Sequence, residues 1–323
     1  MTAAVSVREL SRSFRRNRRS APIQALRGIS LSIEPGETLG VVGESGCGKS
    51  TLARLIARLD EPTTGTIEIL GDDVTHIGGQ ELRQLRRSVQ MVFQDPYASL
   101  NPRRRVGTAV EEVLKVHKLV ESPAARAERV DELLGLVGLD SGFASRYPSE
   151  LSGGQRQRVG IARALAIEPS IVIFDESVSS LDVSVQAEII NLMVALREQL
   201  DLTYVFISHD LGVVRHIADR IAVMYVGTIQ ELGTWRQVSD DPVHPYTRAL
   251  LGAVPHMRLD DQAGPQETPV LGEIPNPADP PSGCAFHPRC PHATALCSQE
   301  SPVLRAVADR LVACHLAAEI IEQ

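Results

Sequence analysis

A glycine-rich segment that ends in a lysine and a hydroxyl residue is the most specific chemical pattern in this sequence. Residues 43–50 read GESGCGKS and match G-x-x-x-x-G-K-[ST], between the apolar run 39–42 and a helical pattern over 51–59. Glycines at this spacing let backbone N–H groups turn toward phosphate oxygens, at a helix N-terminus whose dipole favours anions. Lys49 would contact the β- and γ-phosphates, and the Ser50 hydroxyl would bind Mg²⁺. The segment therefore predicts a site for a nucleoside triphosphate.

The loop alone does not separate kinases, GTPases, helicases and transport ATPases. Inside it, we expect Cys47 to be a small filler whose exposure would make the enzyme sensitive to thiol reagents. The candidate nucleotide-binding residues of the loop are Gly43, Glu44, Ser45, Gly46, Cys47, Gly48, Lys49, Ser50 and Thr51.

Two adjacent carboxylates follow the apolar run 171–174. A carboxylate at the end of a buried strand can hold Mg²⁺ and its waters, the role that we assign to Asp175. The next residue, Glu176, can orient or deprotonate the water that attacks the γ-phosphate. Together with the loop, this pair predicts hydrolysis of the bound nucleotide.

The elements that would position these residues read as an α/β core. The runs 39–42, 171–174 and 204–207 are almost wholly apolar, as parallel strands covered on both faces are. Residues 29–33 alternate instead, which indicates a half-exposed antiparallel strand. Amphipathic patterns without a strand predict a helical insertion over about 95–165. We expect its two helices at 110–120 and 124–137.

Composition and charge restrict the class of protein. The net charge is -7, which disfavours a general nucleic-acid partner. No apolar stretch reaches the roughly 18 residues that cross a bilayer, and the N-terminus has no signal-peptide core. We therefore expect any membrane role to depend on partner subunits.

The signature that narrows the class is Leu-Ser-Gly-Gly-Gln at 151–155, about 20 residues before Asp175. With its companion motifs it resembles the nucleotide-binding subunits of ABC transporters, over roughly residues 1–240. The resemblance implies an ABC ATPase fold of the P-loop NTPase class: a RecA-like parallel sheet, an antiparallel β subdomain and a helical subdomain. The companions are Gln94 of the Q-loop, Asp182 of the D-loop, His209 of the H-loop and Phe14, the aromatic that stacks on adenine.

The resemblance also implies the role of each residue. Glu176, His209 and Gln94 would be catalytic, with His209 sensing the γ-phosphate. Mg²⁺ would be held by Ser50, Gln94 and Asp175. The family commonly has Asp-Glu-Pro where this chain has Asp175-Glu176-Ser177, so a rigid turn is lost but no catalytic group. In the family two subunits enclose two ATPs, and the residues that would act on the partner's ATP are Ser152, Gly153, Gly154, Gln155 and Asp182.

Two further segments are similar to the oligopeptide/dipeptide importers of that superfamily. They are the extended Q-loop at 94–103 and the His-Pro-Tyr segment at 242–250. The resemblance implies an ATP-hydrolysing subunit that powers uptake of peptides at the cytoplasmic face of the membrane. Its partners would be two permease subunits, a second and non-identical ABC ATPase, and an extracellular solute-binding protein, with no nucleic acid. The alternatives are uptake of nickel, glutathione or another peptide-like solute, and a soluble ABC ATPase without a transporter.

The composition changes near residue 240, so we place a nucleotide-binding domain at 1–240 and a C-terminal region at 241–323. Twelve of the 20 prolines and four of the five cysteines lie in the last 82 residues, and we expect 259–281 to be irregular. A segment as small as this C-terminal region, hereafter the tail, often needs a cross-link or a bound metal, that is, a staple, to be stable. Related importer ATPases carry a similar cysteine set that holds a [4Fe–4S] cluster, so the resemblance implies one here; zinc and unliganded thiols remain alternatives. The cluster ligands would be Cys284, Cys290, Cys297 and Cys314.

Overall fold

The computed structural model describes residues 2–15, 22–93, 100–179, 181–252, 275–276 and 278–321. The chain divides into two compact units. Unit 1 comprises Met1–Ala4, Ile33–Glu37 and His76–Ile207, and unit 2 comprises Val5–Ser32, Thr38–Thr75 and Ser208–Gln323.

Strands and helices are numbered in chain order among the described residues. The strands are β1 (Val5–Phe14), β2 (Ile23–Ile33), β3 (Thr38–Val42), β4 (Thr64–Ile69), β5 (Asp72–Asp73), β6 (Val89–Val92), β7 (Ile171–Asp175), β8 (Thr203–Ile207), β9 (Arg220–Tyr225), β10 (Thr228–Thr234), β11 (Arg305–Val307) and β12 (Arg310–Val312). The α-helices are α1 (Lys49–Ile56), α2 (Gly79–Ser88), α3 (Val106–Val116), α4 (Pro123–Leu136), α5 (Gly153–Leu165), α6 (Val183–Leu200), α7 (Leu211–Val214), α8 (Trp235–Ser239), α9 (Pro245–Gly252), α10 (Ala295–Gln299) and α11 (Ala317–Ile321).

Unit 1 contains three parallel strands, β6, β7 and β8, with β7 in the middle. Val89 pairs with Ile171, and Ile171 pairs with Thr203. All five residues of β7 and of β8 are buried, which explains the apolar runs 171–174 and 204–207 within them. Their prediction as buried parallel strands is confirmed. Strand β6 was not predicted, because it has four residues and the polar Gln90 interrupts its apolar sequence.

Within the described residues of the predicted helical insertion, the structure has helices and no strand. Helix α3 corresponds to the helix expected at 110–120 and begins four residues before it. Helix α4 corresponds to the helix expected at 124–137 and begins one residue before it. Helix α4 begins at a proline, and the Ser122 hydroxyl accepts the Ala125 N–H at 3.1 Å as its N-cap. The buried residues Val130, Leu133 and Leu134 form its inner face.

Unit 2 contains two sheets. One has the order β2-β1-β4-β5, with β1 and β4 antiparallel. Residues 29–33 of β2 alternate between buried and more exposed positions, as the sequence predicts for them. The other sheet continues from β3 through β9, β10 and β12 to β11; β3 and β9 are parallel and the remaining pairs are antiparallel.

The C-terminal tail is fixed to unit 2 by strand pairing. In β12, Val312 pairs with Glu231 of β10 and Leu311 pairs with Leu232. A small apolar cluster packs beside this pair, and its buried members are Val243, Val312, Ala317 and Ile320. All of these members belong to residues 241–323, so the tail has a small apolar cluster of its own, and the pairing of β12 with β10 joins it to the preceding residues. Among the described residues, no helix is both long enough and apolar enough to span a bilayer.

Truncating the central residue of this cluster tests whether it secures the tail. Val312 is fully buried, so Val312→Ala should lower the free energy of unfolding by about 2 kcal/mol, through lost burial and a residual cavity. Val303→Ala is the matched control, since Val303 is 77% exposed and its truncation should change stability by less than about 0.5 kcal/mol. Thermal and urea unfolding of both variants measures the difference; equal losses would show that the cluster does not secure the tail.

Candidate nucleotide-binding site

Two glycines of the loop, Gly43 and Gly48, are required by close backbone contacts in unit 2. Gly43 follows the fully buried strand β3 with φ 150°, and a Cβ built on it would lie 2.2 Å from the Met224 carbonyl oxygen. Gly48 has φ 109°, and its Cβ would lie 2.5 Å from the Ala25 carbonyl oxygen. Since neither backbone oxygen can move away as a side chain could, only glycine fits at these positions.

Lys49 is buried and folds back over the loop. Its Nζ donates to the carbonyl oxygen of Gly43 at 2.8 Å and to that of Glu44 at 3.2 Å. By contrast, Ser45 and Gly46 are exposed, and a Cβ on Gly46 would meet nothing within 4 Å. The loop thus surrounds the Lys49 ammonium group on one side and is open to solvent on the other. This arrangement fits an anion bound at the N-terminus of α1.

The environment of Cys47 corrects one expectation. Cys47 is only 5% exposed, and its Sγ lies 3.9 Å from Lys49 Nζ. Burial raises the pKa of the Cys47 thiol, so the reactive thiolate is disfavoured. Cys47 is a small buried filler, as predicted, but the expected exposure was wrong, and the structure gives no basis for thiol sensitivity there.

The residues predicted to hold Mg²⁺ come from separate parts of the chain. Ser50, at the second position of α1, and Thr51 are half-buried in unit 2. Asp175 is the last residue of β7 in unit 1 and is 6% exposed. Hydroxyl and carboxylate oxygens are donors that Mg²⁺ prefers, so the donor chemistry fits this ion. The third predicted ligand, Gln94, lies outside the described residues.

The turn after β7 holds Glu176 in a left-handed conformation with φ 47°. Its N–H donates to the Ile207 carbonyl oxygen at 3.0 Å, which ties it to β8. Its carbonyl oxygen accepts the Ser179 hydroxyl at 2.8 Å and the Ser179 N–H at 3.2 Å. These bonds fix the turn without the proline that is common after the two carboxylates, and the Glu176 side chain remains half-buried.

The signature residues form the N-terminus of α5. Ser152 is the N-cap, and its hydroxyl accepts the Gln155 N–H at 3.2 Å while Gln155 Oε1 accepts the Ser152 N–H at 3.0 Å. A Cβ on Gly154 would lie 2.4 Å from Cγ1 of Val185 in α6, and one on Gly153 would lie 3.1 Å from Leu181. Glycine therefore lets the start of α5 approach the start of α6 closely.

Three other predicted residues lie at exposed ends of elements. Asp182 is the exposed N-cap of α6, and His209 is exposed two residues after the end of β8. Phe14 ends β1 and is 38% exposed, with the Arg12 guanidinium 4.6 Å from its ring centroid. An aromatic ring with this exposure is available for stacking, as the adenine prediction for Phe14 requires.

The His-Pro-Tyr segment contacts the loop, which sequence reasoning did not foresee. His244 is buried, and burial lowers its pKa to about 4; its Nδ1 accepts the Tyr246 N–H at 3.0 Å. The carboxylate of Glu231 accepts the N–H groups of Val243 and His244, each at 3.0 Å. Tyr246 is thereby positioned so that its hydroxyl accepts the Glu44 N–H at 3.0 Å.

A second contact to the loop comes from Arg289. Its Nη1 and Nη2 donate to the two carboxylate oxygens of Glu44 at 2.7 and 2.9 Å. The motif at 242–250 could have indicated a contact from Tyr246. Nothing in the sequence indicates the contact from Arg289, because its partner Glu44 lies 245 residues earlier in the chain.

The prediction of a [4Fe–4S] cluster at Cys284, Cys290, Cys297 and Cys314 was wrong. Within the described part of the chain, which includes all four cysteines, no three His, Cys, Asp or Glu side chains are grouped so that they could hold a metal ion. Burial raises the pKa of Cys284 and Cys290, and that of Cys314 to about 11, so burial disfavours the thiolate form of these side chains.

The cysteines have a packing role instead. Cys284 and Cys297 are buried, and the Cys284 N–H donates to the Cys297 carbonyl oxygen at 2.8 Å. Cys314 packs against the apolar cluster around Val312. The premise that the tail needs a metal staple was mistaken, because strand pairing through β12 and the bond from Arg289 to Glu44 already secure it.

Comparisons with known proteins agree with this geometry. Residues 26–179 match the family model described as ABC transporter, and residues 230–297 match that of the oligopeptide/dipeptide transporter C-terminal region. The chain is 50% identical to the oligopeptide transport ATP-binding protein AppF of Bacillus subtilis, over 93% of this chain and 91% of that protein. It is 46% identical to the di/tripeptide transport ATP-binding protein DppF of Pseudomonas aeruginosa, over 99% and 100% respectively.

Solved structures confirm the predicted fold class. The ATP-binding cassette MJ0796, in a dimeric post-hydrolysis state bound to ADP and Pi, has a TM-score of 0.65 and 32% identity, covering 72% of this chain and 99% of that one. CbiO1 of Clostridium perfringens, part of the ABC transporter complex cbiONQ, has a TM-score of 0.66 and 28% identity, covering 75% and 92%. The chain is an ABC-type ATPase and belongs to the family of ATP-binding proteins of oligopeptide/dipeptide ABC transporters.

Proposed function

We propose that this chain hydrolyses ATP to power the uptake of oligopeptides or dipeptides through an ABC importer. The observation that carries the substrate class is similarity over nearly the whole chain to proteins named for oligopeptide and di/tripeptide transport. That similarity includes the segment 230–297, whose family model is defined for oligopeptide/dipeptide transporters. The phosphate loop by itself supports only nucleotide binding.

The site residues take the roles that their positions allow. Lys49 and the N–H groups at the start of α1 bind the phosphates, and Phe14 stacks on adenine. Ser50, Asp175 and Gln94 hold Mg²⁺, which neutralises charge on the phosphates. Glu176 activates the attacking water, with Gln94 and His209 completing the catalytic set and His209 contacting the γ-phosphate.

The site is completed by a second ATPase subunit. Ser152, Gly153, Gly154 and Gln155 form a helix N-terminus whose N-cap Ser152 is exposed, a favourable place for the γ-phosphate of an ATP held by the partner's loop. Asp182, at the exposed start of α6, acts at the same interface. Loss of the γ-phosphate on hydrolysis then lets the two subunits separate.

Similarity to peptide transport ATP-binding proteins supports the remaining partners. We place the chain at the cytoplasmic face of the membrane with two permease subunits, a second and similar ATPase, and an extracellular solute-binding protein. Residues 1–240 form the nucleotide-binding domain, its helical part at about 95–165 receives the permease, and 241–323 form the C-terminal region.

Glu176→Gln tests the assignment of the catalytic base. The amide cannot accept the proton of the attacking water, so turnover should fall at least a hundredfold while ATP binding is retained. Size-exclusion chromatography with ATP should then show a trapped ATP-bound dimer. Wild-type turnover in this variant would remove Glu176 from the base role.

Gly154→Ala tests the close approach of the signature helix. The added methyl would displace Val185, so we expect at least a tenfold loss of ATPase activity with ATP affinity unchanged within twofold. Gly160→Ala in the same helix is the matched control, because its Cβ meets nothing within 4 Å and should leave activity unchanged. If both variants had the same activity, the contact would be irrelevant to catalysis.

Affinity purification of the tagged chain from solubilised membranes of its native host tests the proposed function as a whole. Mass spectrometry should identify two permeases, a second ATPase, a solute-binding protein and bound peptide. Recovery from the soluble fraction without membrane partners would favour a soluble ABC ATPase. Captured nickel or glutathione in place of peptide would overturn the substrate class but not the transport role. An untagged strain controls for non-specific recovery.

A further inference from the structure

Glu44, the second residue of the phosphate loop, is held from three directions within unit 2. Its carboxylate receives the two bonds from Arg289, its N–H donates to the Tyr246 hydroxyl, and its carbonyl oxygen accepts Lys49 Nζ. Arg289 and Tyr246 both belong to the region C-terminal to β10. Two residues outside the motif therefore hold a residue inside it.

The peptide group between Gly43 and Glu44 shows why this matters for the loop. Its oxygen, on Gly43, accepts Lys49 Nζ at 2.8 Å, and its N–H, on Glu44, donates to Tyr246 at 3.0 Å. The orientation of this group decides whether the Gly43 oxygen points at the lysine. Tyr246 of the tail thus holds the N–H end of the peptide group whose oxygen binds Lys49.

Arg289 is well positioned to act on Glu44. Its side chain is 6% exposed, and Nη1 also donates to the Tyr225 hydroxyl at 3.0 Å. The guanidinium carbon lies 5.7 Å from the Tyr225 ring centroid and 5.9 Å from that of Phe286. These aromatic rings limit its rotamers, so little side-chain entropy is lost in forming the two-point bond with the carboxylate.

We propose that Arg289 is a positioning residue for the nucleotide site, which sets the affinity for ATP by neutralising and orienting Glu44. This inference rests on the proposed function only in taking the loop as the ATP site. Without Arg289, the carboxylate of Glu44 is an unpaired negative charge in a loop that receives a polyanion, and its side chain loses the bonds that orient it. The C-terminal region thereby takes part in nucleotide binding without touching the nucleotide.

A double-mutant cycle on the full-length chain tests the proposal. Arg289→Met should weaken ATP binding about tenfold when Glu44 is present, but less than twofold in the Glu44→Gln background, because no charge remains to be neutralised. The KM for ATP should rise with kcat within twofold, since the contact acts equally in the ground and transition states. Arg289→Lys keeps the charge and should restore affinity to within about threefold of wild type.

The controls separate this role from general support of the tail. Arg305 donates within the tail, to the carbonyl oxygens of Cys314 and His315, so Arg305→Met should change affinity less than twofold in both backgrounds. Equal effects of Arg289→Met with Glu44 and with Gln at 44 would overturn the inference and reduce Arg289 to a packing role. Wild-type ATP affinity in Lys49→Ala would instead overturn the loop as the ATP site, and the inference with it.

Discussion

The burial of the Lys49 ammonium group is the constraint on which the nucleotide site depends. A buried charge is costly unless polar groups surround it, and here the carbonyl oxygens of Gly43 and Glu44 do so. For both oxygens to point inward, the loop has to curl tightly, which brings Gly43 and Gly48 against backbone oxygens of neighbouring strands. The glycine spacing of the motif is thus a consequence of how the lysine is accommodated.

The same constraint extends into the C-terminal region. The peptide group that accepts Lys49 is held from its other side by Tyr246, and Tyr246 is positioned by the hydrogen bonds of buried His244 and Glu231. The His-Pro-Tyr segment is therefore part of the structural support of the loop. This gives a physical meaning to a motif whose residues have no evident chemistry of their own.

Sequence reasoning succeeded where one local pattern determines one structure. The apolar runs of β7 and β8, the helices α3 and α4 and the glycine-rich loop each follow from neighbouring residues, and each was predicted close to its observed position. It failed where the outcome depends on distant partners. No periodic pattern in the sequence signals the ion pair of Arg289 with Glu44 or the pairing of β12 with β10. Because these contacts were not predicted, the cysteine-rich C-terminal region was wrongly interpreted as a segment that a bound metal stabilises.

The pairing of β12 with β10 also has a consequence for biosynthesis. Val312 lies about 80 residues later in the chain than its partner Glu231, so this edge of the unit 2 sheet stays unpaired while the intervening segment is made. During that interval β10 offers open backbone groups to any other extended chain, a known route to misassembly. During synthesis, this protein is therefore most exposed to mispairing after the nucleotide-binding motifs have been made and before β12 has been made.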